Sequence, residues 1–268
     1  SLTMLHDSAR VAEVFRQPSL QMVSFTITEK GYSLRNARHE LMPAVAADMA
    51  NGPTDCKSFM AQLTAMCLER FRACGTPLAL VSMDNCSHNG EKLQKAVMEI
   101  AAAWRDNGSI TAEEYAYLEN DVAFPWSMID KITPRPNPSV EKQLLADGLE
   151  DISPFETAKH TFTAAFVNAE KPQYLVIEDS FPNGRPPLEE AGVIITSREV
   201  VNKVEKMKVC TCLNPLHTCL AVYGCILGYD SIAAEMRDED LVKFITRMSH
   251  EEGMPFVVDP GVIDPEQF

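Results

Sequence analysis

The sequence predicts an α/β half followed by an all-α half. Runs of β-branched and other apolar residues alternate with helical patterns over the first 196 residues, and such alternation is typical of parallel α/β sheets. Beyond residue 196 only helical patterns follow. We therefore divide the chain into an α/β domain at residues 1–196 and a helical domain at residues 197–268.

The individual elements follow from composition and periodicity. Ser197 is a suitable N-cap for the first helix of the second half. The segment 216–229 is apolar nearly all round, so it is predicted to be buried. Strands are expected at residues 20–28, 77–84, 173–179 and 193–197. Helices are expected at residues 7–16, 37–50, 57–74, 90–105, 112–119, 141–149, 198–208 and 238–252, with a turn at 29–32 and a strand-like piece at 121–138.

Composition argues against several classes of function. The formal net charge of -14 disfavours nucleic acid or an anionic membrane as a partner. We find no run of about 18 consecutive apolar residues and no signal-peptide pattern at the start, so no membrane span is expected. The eight cysteines are scattered through apolar helical segments, which favours reduced thiols and a cytoplasmic location.

One stretch combines groups that suit chemistry on an alcohol or a carbonyl. Lys208, Asn214 and His217 lie within ten residues. A lysine can move the proton, while an amide and an imidazole hold the oxygen on which charge develops. Asn214 and His217 share a helix face, and Pro215 is compatible with the first turn of a new helix. The sequence predicts a helix that ends near Lys208, a break, and a second helix that begins near Asn214.

Two simpler explanations of this stretch stay open. Three such residues at a helix junction are often a cap and two solvated side chains. Alternatively, Cys210, Cys212 and His217 belong to a metal-dependent enzyme. C-x-C with one downstream histidine lacks the paired spacing of a structural zinc module, so we assign no metal.

Four further stretches lie in register with this element: SFTITEKGY, SMDNCSHNGEKL, FPWSMIDKITP and YLVIEDSFPNGRP. Together they resemble the polyol-specific long-chain dehydrogenases, which include mannitol dehydrogenases and fructuronate and tagaturonate reductases. The resemblance implies a Rossmann-like domain, here with its N-terminal part missing, before a mainly helical C-terminal domain. It also implies metal-independent hydride transfer between NAD or NADP, with NAD favoured, and a sugar alcohol, ketose or hexuronate.

The resemblance carries residue roles with it. Lys208 would be the general base, and Asn214 and His217 would hold the reacting oxygen. A lysine acts as a base near neutral pH only where burial or a nearby cation lowers its pKa. The implied substrate contacts are Trp126, Asp179 and Glu205. The implied cofactor contacts are Thr28, Glu29, Asp84, Asn85 and Asn89.

The chain departs from the family pattern at these positions. Asn214 follows Lys208 by six residues where the family has five, so either Lys208 is displaced or the helix is over- or underwound there. Trp126 stands where the family commonly has a second oxyanion-holding asparagine. The glycine-rich dinucleotide loop is absent from the sequence. These departures leave an alternative, a catalytically impaired homologue that binds a sugar or metabolite. With either function the protein is expected to be a monomer or homodimer.

Overall fold

The structure is a computed structural model, and the contacts in it divide the chain into two units. The first unit comprises Ser1–Met128 and Val176–Phe268, and the second comprises Ile129–Leu175. This division does not test the predicted boundary between residues 196 and 197, which stays a prediction. The described residues are 4, 7–27, 29–131, 133–156, 160, 162–169 and 174–268.

A parallel sheet forms the centre of the first unit. Strand β2 (Leu78–Ser82) lies between β1 (Met22–Phe25) and β3 (Val122–Ala123), and both pairings are parallel. All five residues of β2 are buried, because an interior parallel strand is covered on both faces. The buried strand expected at residues 77–84 is therefore confirmed.

A second sheet holds the strands that follow along the chain. Strand β7 (Tyr174–Glu178) is flanked by β4 (Ser127–Asp130) and β8 (Ile194–Thr196). β7 and β8 are parallel, with Val176 opposite Ile194. Between β3 and β4 the chain passes through Phe124 and Pro125, and the proline, which lacks an N–H, accounts for the division of the expected strand-like piece into two strands. The second unit adds helix α7 (Pro138–Ala146) and a short antiparallel pair, β5 (Phe155–Glu156) and β6 (Phe162–Thr163).

The helices of the α/β half lie close to their expected positions, with two corrections. The helix expected at residues 37–50 begins only at Pro43, since proline favours the first helical turn. The expected turn at residues 29–32 is a short helix. The helices are α1 (Ser8–Phe15), α2 (Glu29–Tyr32), α3 (Pro43–Asn51), α4 (Phe59–Ala73), α5 (Asn89–Asp106) and α6 (Ala112–Asn120).

Arg70 on α4 is a cation inside the core of the first unit. Its side chain is completely buried, and its guanidinium donates hydrogen bonds to backbone carbonyl oxygens. These hydrogen bonds join the end of α1, the approach to β1 and the loop before β2. The acceptors are the carbonyl oxygens of Phe15, Gln17, Leu20, Thr76 and Pro77, at 2.7 to 3.1 Å.

The second half is helical, as expected, and contains two π-helices. Ser197 caps its first helix through its hydroxyl, which accepts a hydrogen bond from the N–H of Val200 at 3.4 Å. The helices are α8 (Arg198–Lys206), a π-helix (Met207–Cys212), α9 (Asn214–Leu227), α10 (Ile232–Glu235), α11 (Glu239–Arg247) and a second π-helix (Met248–Gly253).

The prediction that the apolar segment 216–229 is buried was wrong. Only Leu220 and Gly224 of α9 are buried, because the described helices that pack on it, α10 and α11, cover one side. Exposed residues include Val222, Tyr223, Ile226 and Leu227.

By length and composition alone, one helical stretch of the described residues, 198–227, is long and apolar enough to cross a membrane. Its most apolar 18-residue part has a mean hydropathy of 1.4 and is 11% buried. Buried helices of proteins outside membranes meet the same criterion, so this is weak evidence. The stretch contains no run of about 18 consecutive apolar residues, because polar residues are interspersed in it, whereas a mean over 18 residues tolerates them. All eight cysteines are free thiols.

Candidate functional site

The carboxyl ends of β1 and β2 are joined by side chains that follow each strand. The hydroxyl of Thr26 donates to the carbonyl of Met83 at 2.9 Å. Asp84 is buried and accepts hydrogen bonds from the phenol of Tyr32 and from the N–H of Cys86, the latter at 3.0 Å. Burial raises the pKa of Tyr32, and its hydrogen bond to Asp84 raises this pKa further. Asp84 therefore acts as an anchor at the edge where ligands bind in parallel α/β sheets.

Asn89, the first residue of α5, ties this edge to the second sheet. It is fully buried, and its amide nitrogen donates to the hydroxyl of Ser127 at 3.0 Å while its amide oxygen accepts from the N–H of Ser127, also at 3.0 Å. The Ser127 hydroxyl donates to the carbonyl of Ser82. Asn89 thus holds the start of β4 against the end of β2.

Gly90 packs against the backbone just before β4. A Cβ at this position would lie 2.5 Å from the carbonyl oxygen of Phe124 and 2.8 Å from that of Pro125. These are backbone atoms, which cannot move aside as the tip of a side chain can. Only glycine fits here without a shift.

We therefore expect Gly90→Ala to lower the free energy of unfolding by about 2 kcal/mol or more, although alanine favours a helix by about 1 kcal/mol. Urea denaturation measures the change. Gly253→Ala is the matched control, since its Cβ would come no nearer than 3.4 Å to another atom. A Gly90→Ala protein as stable as the control would contradict the close packing.

Trp126 lies in the segment between β3 and β4, and its ring is close to Arg198 at the start of α8. Its backbone N–H donates to the carboxylate of Glu178 at 3.0 Å. The guanidinium of Arg198 donates to the same carboxylate at 3.0 Å and lies 5.1 Å from the Trp126 ring. The His88 ring also stacks on Trp126, with the two ring centroids 4.3 Å apart.

Lys208 lies where α8 passes into the first π-helix. Its side chain is buried, with an exposed fraction of 3%, and Glu205 on the preceding turn is 8% exposed. The N–H of Leu213 donates to the carbonyl of Lys208 at 2.9 Å, which is the i→i+5 pairing of a π-helix. The chain between Lys208 and Asn214 therefore forms a wider, underwound turn, which is one of the alternatives that the six-residue spacing left open. π-Helical turns occur frequently at functional sites.

Asn214 and His217 open α9, as the sequence predicted. Pro215 occupies the first turn, after a break at Leu213. Both Asn214 and His217 are exposed in this chain, and the ring of His217 lies 3.2 Å from the Leu213 carbonyl. Lys208 is buried, whereas the side chains of Asn214 and His217 face solvent, so the three groups do not share one environment in this chain. The roles of Asn214 and His217 therefore stay predictions.

The remaining predicted residues fall into different settings. Asn85 and Glu29 are exposed, and Glu29 pairs with Lys92 at 3.3 Å. Asp179 is exposed and pairs with Arg185 at 3.2 Å. Thr28 lies outside the described residues.

Sequence reasoning missed four residues of the cluster around Trp126 and Glu205. Glu178, not its neighbour Asp179, is the strand-end carboxylate that contacts Trp126. The other three are His88, Arg198 and Asn202, which are distant in sequence from one another or from Trp126. The helical spacing of 198, 202 and 205 was the available signal, because it places these residues on one face of α8.

The metal alternative gains no support from the described part of the chain. Within it, no group of three or more His, Cys, Asp or Glu side chains is arranged to hold a metal ion. Cys210 and His217 are exposed and Cys212 is half-buried. Burial raises the pKa of the Cys212 thiol, which disfavours the thiolate that a metal needs.

Comparison with known proteins gives a consistent result. Residues 1–190 match the mannitol dehydrogenase Rossmann domain. The chain is 52% identical to a D-mannonate oxidoreductase of Thermotoga maritima, over 98% of this chain and 49% of that protein. It is 31% identical to a polyol:NADP oxidoreductase of Gluconobacter oxydans, over 95% of this chain and 49% of that protein.

Solved structures agree with these relatives. A D-sorbitol dehydrogenase in substrate-free form superposes with a TM-score of 0.79 and 27% identity, over 98% of this chain and 51% of that one. The Pseudomonas fluorescens mannitol 2-dehydrogenase, in a ternary complex with NAD and D-mannitol, superposes with a TM-score of 0.75 and 28% identity, over 99% and 50%. The chain thus spans about half the length of the proteins that it matches.

Proposed function

The chain belongs to the mannitol dehydrogenase family, and from this premise we propose that it carries the catalytic lysine of an NAD(P)-dependent oxidoreductase acting on a sugar acid or sugar alcohol. The observation that carries the proposal is Lys208, buried at a π-helical turn with Glu205 on the turn before it. The family resemblance extends over both the α/β half and this helical element.

Within this proposal, Lys208 takes the hydroxyl proton of the substrate as the alcohol is oxidised and returns it in the reverse direction. Asn214 and His217 donate hydrogen bonds to the oxygen on which charge develops. The indole N–H of Trp126 adds a donor on the substrate side. A bound nicotinamide supplies or takes up the hydride.

The residues at the strand ends fit one part of such a cofactor. Exposed Asn85 and Glu29 offer an amide and a carboxylate to ribose hydroxyls, while buried Asp84 anchors their segment. Because a carboxylate repels phosphate and accepts hydrogen bonds from hydroxyl groups, these residues fit the polar sugar part and not the pyrophosphate. NAD is the cofactor that we expect. Both NAD and NADP need testing, because one relative is named a polyol:NADP oxidoreductase and another was solved with NAD.

D-mannonate is the substrate to test first, since the relative that shares 52% identity is a D-mannonate oxidoreductase. The experiment is to follow absorbance at 340 nm with NAD or NADP and a panel of sugar acids and sugar alcohols. We expect reduction of the cofactor by D-mannonate, and by mannitol at a lower kcat/KM. Tight sugar binding without any hydride transfer would overturn the proposal and favour the impaired homologue.

A further inference from the structure

His88 has a backbone conformation that its surroundings must enforce. It precedes α5 with φ 50° and ψ 44°, in the left-handed region that residues other than glycine adopt at a cost of about 1–2 kcal/mol. Its N–H donates to the carboxylate of Glu205 at 3.0 Å. This conformation therefore links the loop after β2 to the turn of α8 that precedes Lys208.

The His88 imidazole is held on several sides. It stacks on the Trp126 indole with centroids 4.3 Å apart and an interplanar angle of 25°. One ring nitrogen lies 3.3 Å from the amide oxygen of Asn202 and 3.7 Å from Glu205, and the other lies 3.5 Å from Glu91. The ring thus contacts both α8 and the loop that carries Trp126.

Residues of α8 and β7 make the other contacts of Trp126. Arg198 lies 5.1 Å from its ring, and Glu178 accepts hydrogen bonds from both Arg198 and the backbone N–H of Trp126. Arg198, Asn202 and Glu205 are four and three residues apart, so one face of α8 carries all of them. His88 contacts this face at Asn202 and Glu205 and stacks on the indole, so it is a second connection between them beside Arg198.

We propose that His88 is a positioning residue, which fixes the Trp126 indole on the substrate side of the site and braces Glu205 beside Lys208. This inference rests on the proposed function. Loss of the His88 ring releases the indole and weakens substrate binding, while the backbone N–H still reaches Glu205. The effect therefore falls on KM more than on kcat, and it depends on the presence of Trp126.

A double-mutant cycle tests this dependence. His88→Asn removes the stacking ring and keeps a residue that tolerates the left-handed conformation. We expect it to raise KM for the sugar substrate by about 2- to 12-fold, the factor that corresponds to the coupling of an aromatic pair. In a Trp126→Leu background the same change should alter KM by less than about twofold. Equal effects in both backgrounds would overturn the proposal.

His39→Asn is the matched control, because His39 is also left-handed, at φ 62°, and is exposed away from these contacts. It should leave KM unchanged. A merely structural role for His88 would lower stability without coupling to Trp126.

A second measurement does not depend on turnover. Acrylamide quenching of tryptophan fluorescence should increase in His88→Asn, because the indole of Trp126 becomes more accessible. Trp104 is fully buried, and its share of the signal is measured in Trp126→Leu. Unchanged quenching would overturn the proposal even if hydride transfer were established. Increased quenching in a protein without hydride transfer would support the positioning of Trp126 and refute the proposed function alone.

Discussion

Lys208→Ala is expected to lower turnover by about 10²- to 10⁴-fold, the contribution of a positioned general acid–base group. The purified protein that contains this chain is assayed with its best sugar substrate and cofactor. Cofactor affinity should change by less than about twofold, because Lys208 is proposed to act on the substrate hydroxyl. Its nearly complete burial at the π-helical turn favours a role within the site over a solvated side chain.

Lys206→Ala is the matched control for this prediction. Lys206 is the last residue of α8 and is exposed, only two positions before Lys208. Its removal changes the net charge equally and should leave turnover within about twofold. Added small primary amines should restore part of the activity of Lys208→Ala, since they supply the missing base. Turnover of Lys208→Ala within tenfold of the parent would refute the assignment of the base.

Arg70→Met is expected to cost at least about 3 kcal/mol of the free energy of unfolding. The substitution removes the guanidinium donor from five carbonyl oxygens. Those of Gln17, Leu20 and Thr76 keep another donor, whereas those of Phe15 and Pro77 lose the guanidinium, and each buried group left unsatisfied costs about 1–3 kcal/mol. The full sum is not expected, because the loops can relax. Urea denaturation followed by the fluorescence of Trp104, which lies in the same core, measures the loss.

Two further variants make the Arg70 prediction sharper. Arg70→Lys keeps the charge but has three donors at most, so its stability should fall between those of the parent and Arg70→Met. Arg247→Met removes an exposed arginine from α11 and should change stability by no more than about 0.5 kcal/mol. A loss below about 1 kcal/mol in Arg70→Met would mean that the carbonyls find other donors.

The sequence predicted much of the fold because local patterns decide it. The run at residues 77–84 contains the buried strand β2, Ser197 caps α8, and Pro215 opens α9. Each of these outcomes depends on residues that are neighbours in sequence. Two local predictions were wrong: the helix expected from residue 37 begins at Pro43, and the turn expected at residues 29–32 is the short helix Glu29–Tyr32. Both lie at or between element ends, where local preferences are weakest.

The candidate site was predictable in part. The stretch from Lys208 to His217 is local, so its helix, break and second helix could be predicted from residue types. The six-residue spacing left the winding of this segment open, and only the backbone geometry showed that it is a π-helical turn. The sequence could not decide whether Asp179 or Glu178 contacts Trp126, because either carboxylate at a strand end can pair with an arginine from another segment.

The sequence by itself determined the alternation of strands and helices, the helical second half and the residue types of the Lys208 element. The tertiary structure alone decided that His88, Trp126 and Arg198 meet, and that α9 leaves an apolar side exposed in this chain. The reason is physical. Periodicity and capping report energies between near neighbours, whereas these contacts depend on which distant segments pack together.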